Sequence, residues 1–277
     1  MKEIQEVPSL TEQGGRILHS WASHPGVACL SYAGWVLWYL GYPEQALTKS
    51  QEAVNLAQSL SHPFSLAFAL NFAAMLHQHR REGQVVQERA EVLLTLAKSQ
   101  GFPFRVAWGT ILWGWALAER GEKEEGGRQM RQGMRMWQGT GAKFLRPYWL
   151  ALLVETEGKE GLPQAGLPVL AEALEVVGQT GERWWETELH RLQGELFLKT
   201  GVQQEAEECF RQALDLARRQ SAKSLELRAV MSLARLWQQQ GKKTKARELL
   251  APVYNWFTEG FDTADLIEAK ALLDAIA

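Results

Sequence analysis

Residues 25–43 read PGVACLSYAGWVLWYLGYP, nineteen positions without a formal charge. A membrane-spanning helix needs about twenty apolar residues, and the helical part of this stretch, Gly26 to Leu40, is shorter than that. Its end point decides the reading. Gly41 opens a series in which Gly121, Gly161, Gly201 and Gly241 follow at multiples of forty residues, with Arg81 in the remaining slot. The uncharged stretch therefore lies in register with later segments that carry charges, and it reads as the first helix of a repeat.

Other positions keep the same period. Five residues after the landmark stand Ala46, Val86, Gly126, Gly166, Ala206 and Ala246; seven before it stand Gly34, Ala74, Gly114, Val154, Gly194 and Ala234. Such small residues mark places where two backbones meet. A second punctuation follows twenty residues on, at Ser61, Gly101, Gly141, Gly181, Ser221 and Phe261. Each repeat thus holds two segments and two turns. Within the segments apolar residues recur at helical spacing, as in Ala206, Cys209, Phe210, Ala213 and Leu214.

The expected fold is all-α, a right-handed superhelical solenoid of about six helix-turn-helix repeats with a forty-residue period. First helices are expected over 26–40, 63–80, 103–120, 143–158, 183–199 and 223–240. Second helices are expected over 43–60, 83–100, 123–139, 163–179, 203–219 and 243–258. Glycine past each segment suits a left-handed C-cap, and Pro43 suits the first turn of the next helix. Residues 1–24 form a variable N-terminal segment, with a short irregular helix expected near Gly15–Trp21. Repeats fill 25–260. Residues 261–277 are expected to form a capping helix with Asp262 or Thr263 as N-cap and Leu266, Leu272, Leu273 and Ile276 on its apolar side.

Composition narrows the function. Thirty Lys and Arg against thirty-two Asp and Glu give a net charge of -2, so no global field favours nucleic acid or an anionic membrane. Cys29 and Cys209 lie 180 residues apart without metal-ligand spacing, which fits a reducing compartment. The first residues, MKEIQEVPSLTEQ, lack the apolar run of a secretory signal. A cytoplasmic protein is expected.

The spacing of a small residue, a glycine seven positions on and another small residue five further resembles the tetratricopeptide repeat. Leu37, Leu117, Phe197 and Trp237, four before the landmark, match its large apolar position. Forty residues per repeat, in place of thirty-four, implies a second helix longer by more than one turn. A wider resemblance rests on PGVACLSYAGWVLWYLGYPEQAL, SHPFSLAFALNFAAMLHQHRREG, RPYWLALLVE, GERWWETELHRLQGELFL, AKSLELRAVMSLARLWQQQGK and WFTEGFDTADLIEAKALL. These look like the C-terminal repeat region of bacterial signalling proteins in which a class III adenylate or guanylate cyclase domain precedes a STAND-type ATPase. The resemblance implies a regulatory, partner-sensing solenoid.

Chemistry-bearing motifs are missing. The nearest approach to a phosphate-binding loop, GKKT at 241–244, has Leu236 where the first glycine belongs. His77 and His79 sit two apart, on different helix faces, and read as a solvated helix end. The carboxylate pairs Glu124 with Glu125 and Glu207 with Glu208 have no partner suggested by spacing. We therefore expect no enzyme activity, no cofactor and no metal.

What remains is the inner surface, which the tetratricopeptide resemblance places on first helices. Carried over position by position, it holds Tyr32, Trp35, Trp38 and Tyr39 in repeat one, Asn71 and Met75 in repeat two, and Trp108 and Trp115 in repeat three. Tyr148 and Glu155 follow in repeat four, Glu188, Arg191 and Glu195 in repeat five, and Arg228 in repeat six. The face runs from aromatic to charged. Either it is a groove that binds a peptide or protein segment, such as cyclase or ATPase domains of the same signalling system, or the superhelix is tight enough for these rings to fill its own hollow. A small-molecule sensor anchored by Asn71 or Glu155 is the alternative function.

Overall fold

The computed structural model describes residues 23–158 and 163–277, and among them all regular structure is helical. Twelve helices pair in chain order: α1 (Pro25–Leu40) with α2 (Pro43–Ser59), α3 (Pro63–His79) with α4 (Gly83–Ser99), and α5 (Pro103–Glu119) with α6 (Lys123–Gly139). The next pairs are α7 (Arg146–Gly158) with α8 (Pro163–Thr180), α9 (Glu186–Lys199) with α10 (Gln203–Arg219), and α11 (Lys223–Gln239) with α12 (Lys243–Tyr254). A last helix, α13 (Ala264–Ala275), follows. None of the helices among the described residues is long and apolar enough to cross a membrane.

The forty-residue series is a series of left-handed turns. Gly41, Gly121, Gly201 and Gly241 have φ of 93°, 97°, 81° and 75°, and Arg81 takes the same conformation at 64°. In each turn the N–H of the residue after the glycine reaches back five positions. Tyr42, Glu122, Val202 and Lys242 donate to the carbonyls of Leu37, Leu117, Phe197 and Trp237 at 2.8–3.0 Å. This satisfies carbonyls that the helix end leaves without partners. The large apolar side chains at those positions are thus fixed by the turn that follows them. Pro25, Pro43, Pro63 and Pro103 open their helices, where a missing N–H costs nothing.

Paired helices approach closely at the small positions. A Cβ on Gly114 would stand 2.7 Å from the Gly126 carbonyl oxygen and 2.8 Å from the Met130 nitrogen. The boundaries depart from expectation in three places. α7 and α9 begin at Arg146 and Glu186, three residues late, because the preceding residues turn; Leu145 has φ 66° and donates its N–H to the Glu182 carboxylate at 2.8 and 3.0 Å. α12 ends at Tyr254. At α13 Thr263 occupies the N-cap, but its hydroxyl donates to the Gly260 carbonyl at 2.6 Å instead of accepting from the helix. The helix anticipated near 15–21 lies outside the described residues.

The solenoid closes on itself. α13 buries Leu266, Leu272, Leu273 and Ile276 against the sixth repeat, while its other side faces the second: Arg81 Nη1 contacts Asp265 at 3.3 Å and Glu268 at 2.7 Å. α11 touches α1 directly, and Ser224 Oγ donates to the Trp38 carbonyl at 2.5 Å. Nearby, a Cβ on Gly260 would stand 2.1 Å from Pro43, so only glycine, at φ 76°, lets the last turn approach α2. The sixth repeat and α13 are clasped to the first two repeats, and side chains fill most of the hollow between them.

Candidate functional site

The expected inner residues do meet, and most have no free surface. Trp38, Trp108 and Trp115 are buried, as are Asn71, Met75 and Tyr148. Trp35 and Tyr39 are half-buried, and Tyr32 is exposed. Trp35 stacks edge-on against Trp184 at 4.8 Å, and Tyr39 lies within 6.2 Å of both Trp184 and Trp185. Rings from the first repeat therefore interlock with rings from the fifth. Such pairs add to the burial of apolar area itself.

At the centre lies His79, which overturns its reading as part of a solvated helix end. It is fully buried, stacked on Trp185 at 4.9 Å and packed at a tilt against Trp38 at 4.7 Å. Closure of the ring puts it there, because Trp185 is brought across from the far side. Trp35 Nε1 donates to His79 Nε2 at 3.1 Å, so Nδ1 carries the ring hydrogen and donates to Gln78 Oε1 at 2.9 Å. Tyr148 donates its hydroxyl to the same oxygen at 2.6 Å. Burial, reinforced by the nearby Arg228, holds the imidazole pKa well below its usual value. His77 is half-buried against Glu82.

The charged half of the interior is a paired network. Arg191 contacts Glu188 at 2.6 Å and Glu195 at 3.3 Å, and Arg228 contacts Asp265 at 2.8 Å and Glu188 at 3.7 Å. Arg228 also donates to the His79 carbonyl at 2.5 Å and lies 5.1 Å from the Trp38 ring centre. Buried carboxylates would titrate upward, but these guanidinium groups hold Glu188 and Asp265 below the ordinary range. Glu155 differs: burial raises it, and Arg191 only partly offsets that. It lines a cavity of about 120 Å³ with Arg81, Arg191, Arg228 and Arg235. Among the described residues no group of three or more His, Cys, Asp and Glu side chains could hold a metal ion.

An apolar cleft of about 370 Å³ remains open where the first repeat meets the fifth and sixth. Trp35, Val36, Tyr39 and Leu40 form one wall, Trp184 and Ala222 the other, with Arg183 and Gln220 on the rim. Val36 is 50% exposed and Leu40 36%. The inner face expected from the sequence did not include Val36, Leu40 or Trp184. The signal was the WW pair at 184–185 just ahead of α9, where repeats two, three and four carry the single phenylalanines Phe64, Phe104 and Phe144.

No model of a known protein family matches the chain. It is 24% identical over 230 residues to an uncharacterized protein of Rhizobium meliloti (strain 1021), an alignment covering 82% of this chain and 22% of that protein's length. Among solved structures it is similar to a Rap protein complexed with competence and sporulation factor (TM-score 0.62, 10% identity, 96% of this chain and 79% of that one). It is also similar to the apo form of RapI (0.60, 12%, 95% and 90%). A third is the Signal Transduction ATPase with Numerous Domains protein with a tetratricopeptide repeat sensor from Pyrococcus horikoshii (0.59, 18%, 98% and 44%). The fold is a tetratricopeptide-like helical-repeat solenoid. At these identities the likeness is one of architecture.

Proposed function

We propose that the chain is a non-catalytic interaction and regulatory module of a signalling system, which recognises a peptide or protein segment through the apolar cleft beside Trp35 and Trp184. The cleft carries the reading. It is the place where the inner aromatic stripe reaches solvent, and an exposed apolar surface walled by tryptophans suits an anchoring side chain of a partner. The neighbours support a regulatory role in kind: one was solved with competence and sporulation factor, and another is a signalling ATPase whose repeats are called a sensor. On this reading residues 25–260 are the repeat domain, 261–277 its cap and 1–24 a variable segment, and the module works beside cyclase or ATPase domains.

Panning a random peptide library on the immobilised protein, with counter-selection on Val36→Asp and Leu40→Asp, tests this. Enriched peptides should share an aromatic or branched aliphatic anchor, and the variants should weaken them about thirtyfold, the scale of a lost anchor. Binders indifferent to both variants would overturn the cleft reading. The size of the cleft also favours a second reading, a small-molecule sensor, because about 370 Å³ falls among ordinary ligand pockets. Apolar small molecules that compete with the selected peptides would support it.

A further inference from the structure

Cys29, Tyr32 and Val36 follow one another along α1 at three and four residues, and all three are exposed, Tyr32 by 47% and Val36 by 50%. Their counterparts in the forty-residue register are not. Val36 recurs as Leu76, Ala116, Thr156, Leu196 and Leu236, and Cys29 as Ala69, Gly109, Trp149, Leu189 and Ala229, every one of them buried. In the later repeats this face lies under the second helix of the repeat before. A Cβ on Gly109 would stand 3.1 Å from Leu93 and 3.2 Å from Leu94 of α4, and one on Gly166 of α8 would stand 2.8 Å from Leu196. The place of Cys29 thus meets the later part of the covering helix and that of Val36 its early part, as antiparallel packing requires. In α1 the same face is open among the described residues, and it runs without a formal charge into the cleft at Leu40. A repeat of this kind buries such a face against a neighbour.

The register also specifies what covers such a face: a helix antiparallel to α1, joined to its start by a short turn. The sequence ahead of α1 carries the pattern. Val7, Leu10, Gly14, Ile17 and Trp21 recur at three and four residues. Leu10, Gly14 and Ile17 stand forty positions before Ser50, Val54 and Ala57, which α2 buries. Pro8 opens the stripe as Pro25, Pro43 and Pro63 open α1, α2 and α3. We infer that residues 7–21 take this seat, Gly14 against Cys29 and Val7 beside Val36, and that they compete there with a partner for the cleft. A second copy suits the seat less well, since one helix face falls short of the about 800 Å² per partner of a stable interface. A tethered segment binds instead at an effective concentration on the order of millimolar. Gln13, where α2 buries Ala53, and the adjacent Gly14 and Gly15, which weaken a helix, keep the occupant displaceable. The seat stands on the register, and only the competition rests on the proposed function.

The test uses Cys29 as reporter in the full chain carrying Cys209→Ala, and follows its reaction with a maleimide at several protein concentrations. Leu10→Asp with Ile17→Asp, which sets charges on the seated stripe, should speed labelling about tenfold or more. Gly14→Ala with Gly15→Ala, which strengthens the helix and fits because Val54 holds the place of Gly14 in α2, should slow it about tenfold. Circular dichroism checks that the repeats stay folded in each variant. Cleft-binding peptides should bind the aspartate variant about tenfold more tightly than the parent, because the seat is then free. Equal labelling rates in the three proteins would overturn the seat. So would protection that grows with protein concentration, which would make a second copy the occupant. Peptides that bind parent and aspartate variant equally would overturn the competition while leaving the proposed function in place. If no peptide is selected at all, the proposed function fails, and the labelling rates still decide the seat.

Discussion

Glu259 caps α2 from 215 residues beyond Glu44, and Glu44 returns the contact. The Glu259 carboxylate accepts the N–H groups of Glu44 at 2.9 Å and Gln45 at 3.1 Å, and the Glu44 carboxylate accepts the N–H of Gly260 at 2.9 Å. Tyr42, the local N-cap of α2, makes no side-chain bond. The free N–H groups and positive dipole end of α2 are thus satisfied from the far end of the chain. Glu259→Ala should cost about 1 kcal/mol, as loss of an N-cap does, and should loosen the clasp. Chemical denaturation gives the first quantity, and the distance between labels on α2 and α13 gives the second. An unchanged distance distribution would show that the apolar seam holds the ring alone.

A larger effect is expected at Arg228. It ties α11 to Asp265 on α13, to Glu188 on α9 and to the His79 carbonyl. Arg228→Ala would take one of two guanidinium partners from each of two buried carboxylates, leaving Glu188 with Arg191 and Asp265 with Arg81, at a cost of about 3 kcal/mol. Adding Asp265→Asn should recover part of the loss, because one under-compensated charge is removed. A double-mutant cycle measured by denaturation checks the coupling, and strict additivity would contradict it.

How much of this could be read from the chain follows from sequence distance. Each turn is written locally: even Arg81, where glycine is missing, adopts the left-handed conformation its place in the period demands. Helix starts slipped at α9 and at α7, where Glu182 holds Leu145 in a turn by a contact across 37 residues. Whether the inner face is open or filled depends on pitch, which no single repeat states. Pitch is fixed by contacts such as Glu259 with Glu44 and Ser224 with Trp38. For the same reason His79 looked solvated, since Trp185, which covers it, comes from three repeats away. The aromatic stripe was legible as inward-facing, and its burial was not.

Stability should fall on mild acidification. His79 has a folded pKa well below its unfolded value near 6.5, through burial and then Arg228. Below that unfolded value the unfolded state takes a proton that the folded state refuses, so the slope is at most about 1.4 kcal/mol per pH unit from this group. His190, also lowered by burial, acts in the same direction. Glu155, raised by burial, opposes them as pH falls toward the carboxylate range. Denaturation midpoints between pH 7 and pH 5 should therefore drop in the wild type and drop less in His79→Gln. Equal slopes would place the titration elsewhere.

Gly114→Ala tests the close approach of α5 and α6. The new methyl would meet the Gly126 carbonyl and the Met130 backbone nitrogen below 3.0 Å, and neither backbone group can swing away. Overpacking of this kind costs about 1–3 kcal/mol. Gly139→Ala, on the same helix pair with open space around it, should be neutral or slightly stabilising through helix propensity. Thermal melts of the two variants give the comparison, and similar losses would show that the contact is not tight.

The filled interior and the open cleft make opposite demands on neighbouring residues. Trp38 and Trp115 are 2% and 1% exposed, and Trp38 is packed between α1, His79 and Arg228. Truncation of either to alanine should cost about 3–5 kcal/mol of folding free energy, because a ring-sized cavity is left in a packed core. Val36, two positions before Trp38, is half-exposed on the cleft wall, so Val36→Asp should leave the melting transition nearly in place. Any loss of peptide binding in Trp38→Ala would follow its loss of structure, whereas loss in Val36→Asp would occur in a folded protein. Circular dichroism and binding measured on the same samples separate the two. If Trp38→Ala folds normally and Val36→Asp does not, the interior is open and the surface for a partner lies along the inner stripe instead of at the cleft.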